Sequence, residues 1–219
     1  MGKTTRWWWV RHAPVVNPEK TIYGQSRDLS ANVADSHSYE TLAKVLPRKA
    51  QWITSNFKRT RETADAIIAA GVPCRHRAEV PEFAEQNFGD WEGLTWSELH
   101  KVGQTTAFWL APAETKAPNG ESWSDVFQRT SEKKKELTKT YRGKDIICVA
   151  HGGSIRAAVA LALGLSPTQA LKLSIENWSV TRLDHFHYTD IDGAEKDGWK
   201  LCHFNLSPNA LLRNEKPTN

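Results

Sequence analysis

Two histidines and two arginines follow the ends of predicted strands, where polar ligands bind in α/β proteins. Arg11 and His12 directly follow the apolar run 7–10, and His151 directly follows the apolar run 146–150. Because neighbouring strands lie only about 4.8 Å apart in a sheet, both imidazoles are expected to face one crevice. The sequence therefore predicts that His12 and His151 share a site.

Arg59 adds a cation at a third predicted strand end. The run 51–55 predicts a strand, and Arg59 lies in the first turn of the helix predicted over 59–70. A helix N-terminus offers free backbone N–H groups and a partial positive charge, so an arginine there strengthens an anion site. The glycine pair 152–153 starts a second helix that a ligand can approach closely. Together these groups predict a pocket for a compact dianion such as a phosphoryl group.

Phosphoryl transfer in such a pocket needs a nucleophile and cationic donors that stabilise the equatorial oxygens. The residues at these strand ends include no carboxylate cluster suited to Mg²⁺ and no spacing typical of a metal site. An imidazole can itself be the nucleophile, because its attack on phosphorus forms a labile phosphoramidate that water can cleave. We therefore expect covalent catalysis with neither a metal nor another cofactor.

Four blocks of the sequence extend this interpretation. They are Arg-His-Ala-Pro at 11–14, Ser-Asn-Phe-Lys-Arg-Thr-Arg-Glu-Thr-Ala at 55–64, Glu-Gln-Asn-Phe-Gly-Asp-Trp-Glu-Gly at 85–93 and Val-Ala-His-Gly-Gly at 149–153. The blocks resemble the histidine phosphatase superfamily, in the family's order, and are closest to its phosphoglycerate-mutase-like branch. Members that resemble α-ribazole phosphatases also carry Arg-His-Ala-Pro.

The resemblance implies a role for each matching side chain. His12 corresponds to the residue that becomes phosphohistidine. Arg11, Arg59 and His151 correspond to the residues that grip the phosphoryl oxygens. Glu85 corresponds to the proton donor for the leaving oxygen, which is a poor leaving group as an alkoxide and must be protonated. The further substrate contacts implied are Gly152, Asn17 and Tyr23.

Two positions leave the details of the site open. Glu82 lies close to Glu85 in the sequence and is the alternative proton donor, although the context over 88–93 favours Glu85. The run Ile-Tyr-Gly-Gln-Ser-Arg-Asp at 22–28 differs from the α-ribazole phosphatase pattern by an extra residue and by the lack of a cysteine. These departures affect the expected substrate and leave the reaction type unchanged.

The expected function is hydrolysis of a small phosphorylated metabolite, with α-ribazole 5′-phosphate as one candidate by resemblance. A phosphoglycerate-type mutase shares all five catalytic positions, but a chain of 219 residues is short for the longer loops that cover mutase sites in the family. A non-catalytic phosphate-binding module is the alternative from another class. Such a module would need no proton donor.

The elements that must position these residues predict an α/β fold. Short buried strands alternate with helices, which is typical of a three-layer α/β/α domain with a mostly parallel central sheet. The segment 81–142 is rich in Trp, Glu and Pro, and predicts a helix and loop insertion over the C-terminal edge of the strands. The runs 179–188 and 199–206 predict two strands joined through a turn at Asp192-Gly193. One domain is expected over 1–212, and the remaining residues, 213–219, are expected to form a polar tail.

Composition and charge limit the classes of partner. Lys and Arg exceed Asp and Glu by four, and 39% of the residues are hydrophobic, so a core can form and no strongly basic surface for nucleic acid is expected. No apolar run approaches the roughly 20 residues of a membrane span. Three cysteines without CxxC spacing and the lack of a signal-peptide pattern predict a cytoplasmic protein. A homodimer is left open.

Overall fold

A mixed sheet of six strands lies at the centre of the computed structural model, which describes residues 2–101, 111 and 113–214. The strands are β1 (Lys3–Arg11), β2 (Ala50–Thr54), β3 (Arg77–Glu79), β4 (Asp145–Ala150), β5 (Val180–Thr189) and β6 (Glu195–Leu206). Their order is β3-β2-β4-β1-β5-β6. The first four pair in parallel, whereas β5 is antiparallel to both of its neighbours. The predicted mostly parallel sheet is therefore confirmed.

Helices cover both faces of this sheet. They are α1 (Ser36–Val45), α2 (Lys58–Ala69), α3 (Trp96–Lys101), α4 (Trp123–Thr140), α5 (Gly152–Leu163), α6 (Pro167–Ala170) and α7 (Pro208–Asn214), with 3₁₀ turns at Pro81–Phe83 and Gly89–Trp91. One apolar cluster joins the sheet to α1, α2 and α7, and a second joins the opposite face to α4 and α5. This arrangement confirms the predicted three-layer α/β/α architecture.

Strand β1 is buried on both faces, as its unbroken apolar run predicts. Successive side chains of a strand point to opposite faces, so Trp7 and Trp9 lie in one cluster while Trp8 lies in the other. The Trp7 and Trp9 rings stack with centroids 5.1 Å apart, and both contact the edge of Phe83. The indole of Trp7 also donates a hydrogen bond to Thr138 of α4 at 3.0 Å. These contacts fix β1, whose last residue carries the first functional side chain.

The two helices nearest the predicted site start where the sequence indicates. Helix α5 follows β4 directly and ends at Gly164, which adopts the left-handed conformation with φ of 66°. Helix α2 begins at Lys58, one residue before its predicted start. Both helix N-termini therefore face the carboxyl edge of the parallel strands.

The predicted insertion over 81–142 differs from the structure in its second half. Helix α4 packs along α5 as part of a sheet-covering layer, because its buried side chains recur at helical spacing and include Lys134 and Thr138. The part before α4 supplies loops at the strand ends, and residues 102–110 and 112 lie outside the described residues. The insertion over the strand edge is therefore shorter than predicted.

The C-terminal part of the chain follows the predicted pattern with two shifts. Strands β5 and β6 form a hairpin whose turn contains Gly193, with φ of 82°, as predicted. Strand β6 begins at Glu195, four residues earlier than expected. Helix α7 includes Arg213 and Asn214, which the sequence placed in the polar tail, and 215–219 lie outside the described residues. In the described part of the chain, no helix is long and apolar enough to cross a membrane.

Lys134 is a fully buried lysine between α4, α5 and β6. Its Nζ atom donates a hydrogen bond to the carbonyl of Ala158 at 2.8 Å and lies 3.5 Å from the centroid of the Trp199 ring. Burial lowers the pKa of Lys134 well below its usual value. Because a lysine in the unfolded chain holds its proton up to about pH 10.4, the free energy of unfolding should rise with pH below that value.

We expect Lys134→Met to increase the free energy of unfolding at neutral pH, because methionine fills the space without burying an amine. The free energy of unfolding of the variant should also rise less steeply with pH, by up to about 1.4 kcal/mol per pH unit. Urea unfolding at several pH values measures both effects, with the exposed neighbour Lys135→Met as the control. An unchanged pH dependence would show that the buried amine stays charged in the folded protein.

Candidate active site

A cavity of about 540 Å³ opens at the carboxyl end of β1. Arg11 and His12 line it from the strand end, and Gly153 lines it from the first turn of α5. Glu85 and Tyr23 belong to loops that complete the wall. The structure therefore brings together residues from four distant parts of the sequence at the predicted edge of the sheet.

His12 is held by backbone hydrogen bonds and has almost no exposed surface. Its N–H donates to the carbonyl of Ala150 at 3.0 Å, and the Asn177 amide donates to its carbonyl at 2.7 Å. Its Nδ1 atom lies 2.6 Å from the Ala13 carbonyl, which can only accept a hydrogen bond. This contact assigns the proton to Nδ1 and leaves the lone pair of Nε2 free.

The imidazole of His12 is neutral at physiological pH. Burial is the main cause that lowers the pKa of His12 to about 3, followed by the nearby Arg59 guanidinium. The hydrogen bond to Ala13 acts in the opposite direction, and Arg11 lowers the pKa further. A neutral imidazole with a free Nε2 lone pair can act as a nucleophile.

His151 lies opposite His12, with the two ring centroids 5.1 Å apart. The Nε atom of Arg59 donates to Nδ1 of His151 at 3.3 Å, so the ring proton is assigned to Nε2, which donates to the hydroxyl of Ser55 at 2.7 Å. Burial, and secondarily Arg59, lowers the pKa of His151 well below its usual value. Both imidazoles are therefore neutral beside a guanidinium cation.

Two guanidinium nitrogens of the described residues are buried without a hydrogen-bond partner: Nε of Arg11 and Nη1 of Arg59. The remaining groups are anchored, since Arg11 donates to the carbonyl of Ile175 and Arg59 donates to the carbonyl of Gly24 at 2.9 Å. A buried donor without an acceptor costs about 1–3 kcal/mol. An oxyanion within hydrogen-bond distance of these nitrogens would supply the missing acceptors.

Glu85 lies against the start of α5. The backbone N–H of Gly153 donates to one carboxylate oxygen at 3.3 Å, and the N–H of Gln86 donates to the other at 3.1 Å. A side chain at position 153 would overlap the Glu85 carboxylate, whereas a Cβ at Gly152 would make only ordinary contacts of 3.7 Å or more. Within the glycine pair 152–153, to which the sequence assigned a close approach, Gly153 is therefore the residue that must be glycine.

The alternative acid, Glu82, does not line the cavity. Its carboxylate pairs with Lys133 of α4 at 3.2 Å. Glu85 is thus the carboxylate that lines the cavity together with His12 and Arg11.

Arg129 of α4 holds the loop that carries Glu85, and sequence reasoning gave it no role in the site. Its guanidinium donates to the carbonyls of Glu82, Ala84 and Glu85 at 2.6, 2.9 and 3.0 Å. It also forms a two-point ion pair with Glu121, with both contacts at 2.9–3.0 Å. Three carbonyls bound to one guanidinium fix the backbone of the loop. This arrangement depends on tertiary contacts, which the spacing of residues along the sequence does not indicate.

The two remaining predicted contacts have different outcomes. Tyr23 lines the cavity, and the Arg59 guanidinium lies 5.2 Å from its ring centroid. Asn17 is not among the lining residues, because its amide exchanges hydrogen bonds with the backbone of Thr21 at 2.8 and 3.3 Å. Its contact with substrate stays a prediction.

The groups around the cavity are mostly cationic. Arg11 and Arg156 line it, and Glu85 is the carboxylate that lines it, whereas Arg59 and His151 are fully buried and are not among the lining residues. Arg156 was missed, although its spacing of three residues from Gly153 places it on the same face of α5. Within the described residues, no group of three or more His, Cys, Asp or Glu side chains is arranged to hold a metal ion.

Comparison with known proteins connects the cavity to one family. The sequence profile of the histidine phosphatase superfamily (branch 1) matches residues 7–191. The metal-independent phosphoserine phosphatase of Arabidopsis thaliana is 32% identical over 107 residues, which are 48% of this chain and 44% of that protein. A 2,3-bisphosphoglycerate-dependent phosphoglycerate mutase of Methanococcus vannielii is 37% identical over 99 residues, 43% of this chain and 42% of that protein. The matched parts are thus under half the length of either relative.

Solved structures share the fold over nearly the whole chain. A mutant phosphoserine phosphatase from Entamoeba histolytica in complex with phosphoserine has a TM-score of 0.73 at 23% identity, covering 95% of this chain and all of the other. A mycobacterial glucosyl-3-phosphoglycerate phosphatase has a TM-score of 0.75 at 24% identity, with 92% and 99% covered. A putative α-ribazole-5′-P phosphatase from Escherichia coli has a TM-score of 0.75 at 17% identity, with 92% and 97% covered.

We expect the His12 ring to stay neutral in the folded protein between about pH 5 and pH 8, because its pKa of about 3 lies below this range. Ring ¹⁵N NMR should show a protonated Nδ1 and a bare Nε2 throughout. The urea-unfolded chain is the control, and its histidines should titrate near pH 6.5. A folded-state titration of His12 inside this range would contradict the assignment.

Proposed function

The chain belongs to the histidine phosphatase superfamily, and we propose that it hydrolyses a small phosphomonoester through a covalent phosphohistidine on His12, without a metal or other cofactor. The observation that carries the proposal is the pair of buried, unsatisfied donors on Arg11 and Arg59 beside a neutral His12. Preorganised donors of this kind stabilise the charge that develops on the transferring oxygens, and the imidazole supplies the nucleophile.

In the first step, Nε2 of His12 attacks phosphorus and the bond from phosphorus to the ester oxygen breaks. Glu85 gives its proton to that oxygen, so an alcohol leaves. The free donors of Arg11 and Arg59 bind the phosphoryl oxygens, and the neutral His151 holds the Arg59 guanidinium through its Nδ1 atom without adding a fixed charge. The hydrogen bond from Nδ1 of His12 to Ala13 holds the ring in place while its other nitrogen carries the phosphoryl group.

In the second step, water attacks the phosphorus of the phosphohistidine. The Glu85 carboxylate, now without its proton, takes one from the attacking water, and the bond between phosphorus and Nε2 breaks. Inorganic phosphate leaves and His12 regains its lone pair. Glu85 thus acts as an acid and then as a base from one position, which requires the loop that carries it to be fixed.

The substrate class proposed is a small phosphorylated metabolite. Phosphoserine phosphatases, a phosphoglycerate mutase and a glucosyl-3-phosphoglycerate phosphatase are among the similar proteins, and each is named for a phosphate ester of a small molecule. α-Ribazole 5′-phosphate enters the same list through the structural likeness to a putative phosphatase for it. A cavity of about 540 Å³ falls within the usual range for small-molecule sites.

We expect the wild-type chain to hydrolyse O-phosphoserine and p-nitrophenyl phosphate with EDTA present, and His12→Asn to lose at least about 1,000-fold in kcat. His37→Asn, at an exposed histidine on α1, is the matched control and should retain full activity. Acid quenching should trap a phosphoenzyme that is labile in acid and stable in base, and His12→Asn should yield none.

Three results would overturn the proposed function. Loss of activity in EDTA with recovery on adding a divalent cation would show a metal-dependent reaction. Isomerisation of 3-phosphoglycerate without release of phosphate would identify a mutase. Binding of inorganic phosphate by a chain that turns over no ester would identify a binding module.

We expect Arg129→Lys to lower kcat by about 10- to 100-fold with a smaller change in KM, because a lysine cannot bind three carbonyls and Glu121 together. The loss should be larger with O-phosphoserine than with p-nitrophenyl phosphate, whose leaving group needs little protonation. Arg61→Lys, at a surface ion pair with Glu79, is the matched control. Equal losses with both substrates would mean that Arg129 only stabilises the fold.

A further inference from the structure

Arg156 is a cavity-lining cation that the proposed mechanism does not use. It lies on α5, three residues after Gly153, and lines the same cavity as Arg11 and Glu85. Its Nε atom donates to the carbonyl of Leu173 at 2.7 Å. Within the described part of the chain, Arg156 makes no other hydrogen bond, and no described carboxylate forms an ion pair with it.

The anchored Nε atom fixes the plane of the Arg156 guanidinium and leaves both terminal nitrogens available to the cavity. Burial lowers the pKa of Arg156, and Glu85 is the main group that offsets this effect. An arginine keeps its charge even so, so a half-buried cation faces the cavity without a bound partner. Two parallel N–H groups on one edge of a guanidinium match the two oxygens of a carboxylate.

The position of Arg156 assigns it to the leaving-group side of the cavity. The N–H of Gly153 in the first turn of α5 donates to the Glu85 carboxylate, and Arg156 follows Gly153 by three residues on the same face of that helix. Arg156 therefore lies on the side of the cavity that holds the proposed proton donor. One turn of α5, about 5 Å, separates it from the N–H of Gly153 that binds the Glu85 carboxylate.

We propose that Arg156 binds a carboxylate on the leaving group, on the side of the cavity where Glu85 would protonate the ester oxygen. This proposal rests on the proposed function and narrows its substrate class to phosphate esters of small hydroxy acids. The aromatic and aliphatic walls of the cavity, which include Phe88 and Leu171, restrict the rest of the leaving group to a short chain.

The test compares 3-phosphoglycerate with glycerol 3-phosphate, which has a hydroxymethyl group where the first has a carboxylate. We expect wild-type kcat/KM to favour 3-phosphoglycerate by about 10- to 100-fold, the range for a charge-assisted hydrogen-bonded pair. Arg156→Gln should lose this preference and leave kcat/KM for glycerol 3-phosphate within about threefold of wild type. Arg142→Gln, at an exposed arginine beside His187, is the control.

A binding measurement separates this proposal from the proposed function. In a His12→Asn background, which cannot be phosphorylated, Arg156→Gln should weaken calorimetric binding of 3-phosphoglycerate about tenfold or more and leave binding of inorganic phosphate unchanged. Equal weakening of both ligands would show that Arg156 supports the fold, and the proposal would fail even if phosphatase activity stands. Faster, Arg156-dependent hydrolysis of propane-1,3-diol bisphosphate would show that the subsite takes a second phosphate and would overturn the carboxylate assignment.

Discussion

The guanidinium of Arg59 is completely buried, and one of its nitrogens has no acceptor among the described residues. Its Nε atom donates to His151 and thereby assigns the proton of that ring to the side of Ser55. The same charge helps to lower the pKa of His12 after burial itself. A buried cation next to two imidazoles is unfavourable without an anion. The positive charge of the site therefore favours the binding of a dianion. The tautomer of His151 and one of the free donors of the site therefore depend on this one side chain.

The sheet core keeps the Glu85 loop in position relative to these groups. Phe83, two residues before Glu85, is fully buried and packs edge-on against the stacked rings of Trp7 and Trp9. The same strand carries Arg11 and His12 at its end. Apolar packing on one side and the Arg129 guanidinium on the other therefore tie the loop to the strand that bears the proposed nucleophile. A change in the core of β1 would move both partners of the proposed proton and phosphoryl transfer.

The sequence predicted the groups that lie at the ends of strongly apolar strands, because burial on both faces leaves a clear pattern and parallel strand ends converge by geometry. His12, His151 and Arg59 meet for this reason. The role of Arg129 was not predictable in this way, since carbonyl acceptors carry no signature in residue type. The packing of α4 in a helical layer was not predicted, because the charged run from Lys133 to Lys135 gives no sign in the sequence that Lys134 is fully buried.

The environment of Glu85 suits both halves of the proposed reaction. A carboxylate formed by loss of a proton in the first step would be stabilised by the N–H of Gly153 at the start of α5. In the proposed reaction, giving a proton to the leaving oxygen would leave Glu85 as the carboxylate that the second step needs as a base. The backbone N–H groups of Gly153 and Gln86 donate to its two oxygens and hold it in one position, so the two steps require no change of conformation.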